Sequence, residues 1–82
     1  MNDQIITDDI VQVAFLMARG FRLETARPWA GRIYRFTISG RGIAKAAGEY
    51  VADGLAPIQQ FKTHYTTLKR LVRSGASFEA EP

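Results

Sequence analysis

From Ile10 to Ala18 the chain reads IVQVAFLMA, apolar at every position except Gln12. A segment that is apolar nearly all round predicts a buried helix rather than an amphipathic surface one. Thr7 stands before it as a candidate N-cap, and Asp8 and Asp9 fall in the first turn, where carboxylates complement the helix dipole. Arg19 and then Gly20 give a C-terminal stop, so the spacing predicts a helix over 8–19. Upstream, residues 3–6 (DQII) suit a short strand.

Beyond Gly20 the period changes to two. In FRLET, residues 21–25, Phe21, Leu23 and Thr25 share one face and Arg22 and Glu24 the other. In RIYRFTI, residues 32–38, Tyr34, Phe36 and Ile38 alternate with Ile33, Arg35 and Thr37. The intervening ARPWAG, with its Pro and Gly, predicts a turn, and two alternating runs so joined predict a β-hairpin. Its aromatic face should pack on the first helix, leaving Arg22, Glu24, Ile33 and Arg35 outward.

After SGRG (39–42), residues 43–53 predict a helix with Ile43, Ala47, Tyr50 and Val51 on one stripe, closed by Gly54. Pro57 suits the first position of another helix. There Ile58, Phe61, Tyr65, Leu68 and Val72 keep a spacing of three to four, and Gly75 ends the run. Phe15, Phe36 and Phe61, one from each main apolar surface, are expected to be buried together. The fold class is therefore α+β: a small antiparallel sheet of two or three strands packed against helices, in the order (β)αββαα. Residues 1–75 form a single domain, and 76–82 (ASFEAEP) are expected to be a flexible C-terminal tail.

At 82 residues such a domain has a thin stability margin. Together with the open strand edges and an uncovered sheet face bearing Ile33, this makes a homodimer an expectation. No apolar run reaches the roughly 18 residues of a membrane span. The acidic, polar start (MNDQIITDD) is unlike a secretory signal. Cysteine is absent, which removes disulfides, thiolate catalysis and sulfur-ligated zinc and fits a cytoplasmic protein.

The net charge is +3, but its distribution says more than its sum. Asp3, Asp8 and Asp9 make the start acidic. Arg19, Arg22, Arg27, Arg32, Arg35, Arg41 and Lys45 face only Glu24 across residues 10–45, and Lys62, Lys69, Arg70 and Arg73 make the last helix basic. The arginines Arg22, Arg27, Arg32, Arg35 and Arg41, with Trp29 in its Arg-Pro-Trp-Ala-Gly loop, are the candidate binding residues. Such a face either keeps the protein soluble or engages phosphate or an acidic surface. Trp29 either folds back on the core or serves as an exposed interface anchor. Lys69 and Arg73 have a structural reason for their charge at a helix C-terminus.

Catalytic groups are scarce. His64 is the sole histidine, on the border of an apolar stripe, with neither a carboxylate to orient it nor a nucleophile nearby in sequence. No metal-ligand spacing appears, and adjacent Asp8 and Asp9 diverge on a helix. Ser39-Gly40-Arg41-Gly42 leads into a helix that offers amides to an anion, yet Lys45 stands where a dinucleotide fingerprint needs glycine. A glycine-rich turn accounts for it as well. No catalytic residue, metal or cofactor is expected.

Thr7-Asp8-Asp9, the run from Ala14 to Leu23, the alternation Tyr34-Arg35-Phe36 and Leu68-Lys69-Arg70-Leu71 together resemble a family of small domains of unknown function from bacteria and their phages. Its members share a T-x-D start, an apolar A-x-L helix ending in Gly-Phe, a strand pair and a C-terminal helix with Leu-Lys. The resemblance covers most of residues 7–73. It implies a phage or mobile-element source and brings no activity with it. The expected function is that of a small non-enzymatic accessory or regulatory protein engaging a protein or nucleic-acid partner through the basic hairpin face. The alternatives are a sequence-nonspecific nucleic-acid binder and a phage inhibitor of a host defence complex. An enzyme stands last.

Overall fold

The computed structural model describes residues 3–31 and 33–81. Seven elements follow one another: β1 (Gln4–Thr7), α1 (Ile10–Ala18), β2 (Arg22–Ala30), β3 (Ile33–Ser39), α2 (Ile43–Val51), α3 (Ile58–Ser74) and β4 (Phe78–Glu79). The sheet has the order β1-β3-β2-β4, with every neighbouring pair antiparallel. β1 and β2 therefore run in the same direction with β3 between them, and α1 is the crossover of a split βαβ unit. The α+β class holds, with four strands where two or three were expected.

α1 fills the centre. Val13, Ala14, Phe15, Leu16 and Ala18 are buried, which is why its sequence carries almost no polar position. The inner sheet face supplies Ala26, Tyr34, Phe36 and Ile38, while α2 adds Ile43 and Ala46 and α3 adds Leu68. Phe15 and Phe36 are buried as the pattern predicts. Phe61 is only half-buried and stacks on Tyr65 with ring centroids 5.9 Å apart, so Leu68 is the α3 residue that reaches the core.

The first helix begins later than its sequence signals suggest. Asp9, not Thr7, is the N-cap: its Oδ1 accepts from the amides of Val11 and Gln12, and Thr7 Oγ1 accepts from the Asp9 amide one step earlier. Pro57 likewise caps α3 rather than opening it. Gly40, with a positive φ, lies against the Phe21 ring, where a Cβ would collide. Close packing thus explains a glycine in SGRG with no anion involved.

β2 departs from its predicted alternation at Glu24. Leu23 pairs with Ile38, Thr25 with Thr37 and Ala26 with Phe36, so Glu24 is the extra residue of a β-bulge. The bulge flips the phase of all that follows. Thr25, expected inward, faces outward, and Ala26 takes the buried place opposite Phe36. β2 also runs on through Arg27 and Pro28 to Ala30, into the segment predicted as a turn. Residues 78–79, expected to belong to a frayed tail, pair with Thr25 and Ala26. The Ala80 amide donates to the Glu24 carbonyl at 2.8 Å.

Candidate functional site: the outer sheet face

Among the described residues no helix covers the outer face of the sheet. With Phe36 and Ile38 inward, strand pleating turns Ile33, Arg35 and Thr37 of β3 outward, together with Ile6 of β1 and Arg27 of β2. Ile6, Trp29 and Ile33 are 66%, 60% and 50% exposed. Large exposed apolar side chains gathered on one face are the kind of patch that marks an interaction surface. Trp29 sits at a second register shift, between Pro28 and Ala30, which directs its indole across β3. The Arg35 guanidinium carbon lies 3.5 Å from the indole ring centroid, a cation–π contact. Ile6, Thr7, Asp8, Trp29, Ile33 and Arg35 line one shallow concavity. Trp29 does not fold back on the core; its indole lies at the surface.

The arginines are distributed differently from the sequence reading. Arg27, expected at the hairpin turn, lies within β2 directly opposite Arg35. Arg22 shares the outer face but pairs with Ser39 at the far end of β3, four residues and roughly 13 Å along the strand from Arg35. Arg41 lies beyond that same end, exposed in the turn before α2, and does not join the Trp29 cluster. Arg32 lies outside the described residues.

Two of these cations are matched by acid. Arg22 Nε is 3.5 Å from Glu24 Oε2, and its Nη2 donates to the Glu81 carbonyl. The same Glu24 oxygen accepts from Ser39 Oγ at 2.6 Å, which holds the bulge in place. Arg27 Nη2 is 3.6 Å from Glu79 Oε1, delivered by β4. Asp8 lies in the same concavity as Arg35. The outer face is therefore close to electroneutral, with an aromatic and aliphatic centre, rather than the basic surface that the run of arginines predicts. Ile6 is the member of this face that sequence reasoning missed. The short strand was legible, but its pairing with β3 on the side away from β2 was not.

Elsewhere, His64 is half-buried on α3 with no carboxylate at ion-pair distance among the described residues. Among those residues no three His, Asp or Glu side chains converge, and none of their helices is long and apolar enough to cross a membrane. No family model matches the chain, and neither a curated protein nor a solved structure shows significant similarity to it.

Proposed function

We propose that the chain is a non-enzymatic binding module of the accessory or regulatory kind, whose outer sheet face docks a protein partner in the cytoplasm. The observation that carries this reading is Trp29, held at the surface under the Arg35 guanidinium and flanked by Ile6 and Ile33. Trp and Arg are the residues most enriched at interface hot spots, where a desolvated aromatic centre with a polar rim carries most of the binding energy. The acids opposite Arg22 and Arg27 favour a protein over nucleic acid on this face, because phosphate recognition needs cations without internal partners. With a phage or mobile-element source, as the resemblance over residues 7–73 implies, inhibition of a host defence complex is a particular case.

The test has two arms. Immobilised wild-type protein, Trp29→Ala and Arg35→Glu are compared for retention from an extract of the source cells. A partner held by wild type and lost by both variants supports the reading, and equal retention by all three overturns it. Light scattering across a concentration series identifies a second copy as the occupant when wild type doubles in mass and Trp29→Ala does not.

A further inference from the structure

The basic surface that the hairpin fails to provide is present on α3. Lys62, Lys69, Arg70 and Arg73 are all exposed. Among the described residues the ion pairs belong to Arg19, Arg22 and Arg27, and none to these four. No Asp or Glu occurs between Gly54 and Phe78. On a 3.6-residue helix the four cations fall within an arc of about 100°, and from Lys62 to Arg73 they span roughly 16 Å at 1.5 Å per residue. Lys69 and Arg73 both lie near the C-terminus of α3, but a helix dipole does not account for Lys62, three turns earlier.

We infer that the exposed face of α3 is a second binding surface, one that takes double-stranded DNA through its phosphates. Charge complementarity carries the choice: cations without an ion-pair partner among the described residues, on one face of a 17-residue helix, interspersed with neutral polar Gln59 and Thr66, present donors to a polyanion on a helix that carries no carboxylate of its own. An anionic membrane fits less well, because from Phe61 through Leu68 to Val72 the apolar stripe of α3 is turned to the core, and only Ile58 at its start, with Leu55 before it, is left exposed to insert. A protein partner fits poorly as well. Gln59, Lys62, Thr63, Thr66, Thr67 and Arg70 line a shallow concavity that lacks any large apolar side chain, and the groove in which Ile10, Tyr65 and Val72 adjoin Lys69 and Arg73 lies at the edge of the cationic arc. Single strands want aromatic platforms, and Tyr65, the aromatic nearest this arc, is half-buried with the Lys69 ammonium 5.3 Å over its ring. Duplex DNA offers a major groove that admits a helix, which the deep, narrow groove of A-form RNA does not. Thr63 and Thr67 donate their hydroxyls to the carbonyls of Gln59 and Thr63, so the cations carry the contacts and binding is independent of base sequence.

The full chain is titrated against a short fluorescein-labelled DNA duplex by anisotropy. Binding is expected at about 50 mM salt, with log K falling linearly against log salt at a slope of roughly −3 to −4, or about −0.9 per phosphate. Arg70→Glu should weaken binding at least about tenfold, whereas Arg35→Glu, an identical change in net charge on the sheet, should leave it within about twofold. Lys62→Ala, which suits a helix, should reduce the slope by about one and serves if the charge reversal disturbs folding. Absence of duplex binding at low salt overturns the inference, as does equal weakening by Arg70→Glu and Arg35→Glu. So does competition by poly-glutamate, single-stranded DNA or duplex RNA as effective as that by unlabelled duplex. The sheet variants report on the protein-docking face and the helix variants on this one, so the two readings fail separately.

Discussion

Arg27 and Arg35 face each other directly across β2 and β3 on the outer side of the sheet. Like charges placed so are destabilising, and the structure diverts both. Arg27 turns toward Glu79, and Arg35 lies over Trp29. Replacing Arg35 by Glu therefore loses one cation–π contact, worth about 0.5–1 kcal/mol, and turns the repulsion by Arg27 into a cross-strand attraction of about 0.2–1 kcal/mol. The expected outcome is a melting temperature nearly unchanged beside a loss of partner docking. Denaturation and binding on the same preparation check it, and a variant that fails to fold would mean that Arg35 supports the core rather than an interface.

Asp9 is used twice, and its partner records the fact. Oδ1 caps α1, and Oδ2 accepts the Tyr50 hydroxyl at 2.9 Å, joining α1 to α2. Asp9→Ala should cost about 0.5–2 kcal/mol for the cap alone, and Tyr50→Phe about 0.5–1.5 kcal/mol for one hydrogen bond. Chemical denaturation of both variants is expected to rank Asp9→Ala as the more damaging.

Tyr50 also predicts a pH response. Burial, then the hydrogen bond to Asp9 and its charge, raise the phenol above its ordinary value of 10.0. A raised pKa in the folded state means that the neutral form is favoured on folding. Its contribution is complete below the unfolded value and is lost as pH rises through the folded one. Thermal melts on either side of pH 10 should show wild type losing more stability than Tyr50→Phe. Parallel loss in both proteins would detach the effect from Tyr50.

Much of this architecture was legible in the chain. The apolar run of α1 and the alternation of β3 each follow from one period and place their buried residues correctly, whereas the α3 stripe sends only Leu68 into the core and leaves Ile58 at its start 64% exposed. The bulge at Glu24 was not legible. FRLET alternates cleanly through Leu23, and only the pairing with β3 shows that the phase slips. Pro28 signalled a turn because it donates no amide. It is tolerated in β2 because β4 pairs only with Thr25 and Ala26, leaving that stretch of β2 a sheet edge. The candidate face was half legible. Trp29 and Arg35 stood out by type, but Ile6 needed the strand order, and the neutralisation of Arg27 depends on Glu79, delivered from the far end of the chain.

The same limits separate the three phenylalanines. Phe36→Ala removes a side chain 1% exposed at the centre of the core and should cost about 3–5 kcal/mol, a large share of the stability of so small a domain. Phe61→Ala acts on a half-buried ring whose neighbours can relax into solvent, and should cost less than half as much. Matched urea titrations decide it; equal losses would place Phe61 in the core.

The C-terminal strand makes the last prediction. Tyr34, whose ring is in the core, donates its hydroxyl to the Ala76 carbonyl at 2.7 Å, fixing where the chain turns back toward the sheet. From there Phe78 and Glu79 pair with β2, and Glu79 and the Glu81 carbonyl meet Arg27 and Arg22. Ending the chain at Ser77 removes the β4 ladder, worth about 1 kcal/mol per hydrogen bond, and exposes the edge of β2. It also strips those arginines of their distal partners. The truncated protein should melt earlier and self-associate more, because an uncovered edge invites pairing. Its outer face should also gain a salt-sensitive affinity for polyanions that the intact sheet lacks. A Glu79→Gln variant separates the two effects, since it keeps the strand and removes only the charge. It is expected to share the gain in polyanion binding while keeping most of the stability. If truncation changed neither melting temperature nor polyanion binding, residues 78–81 would be a tail rather than part of the sheet.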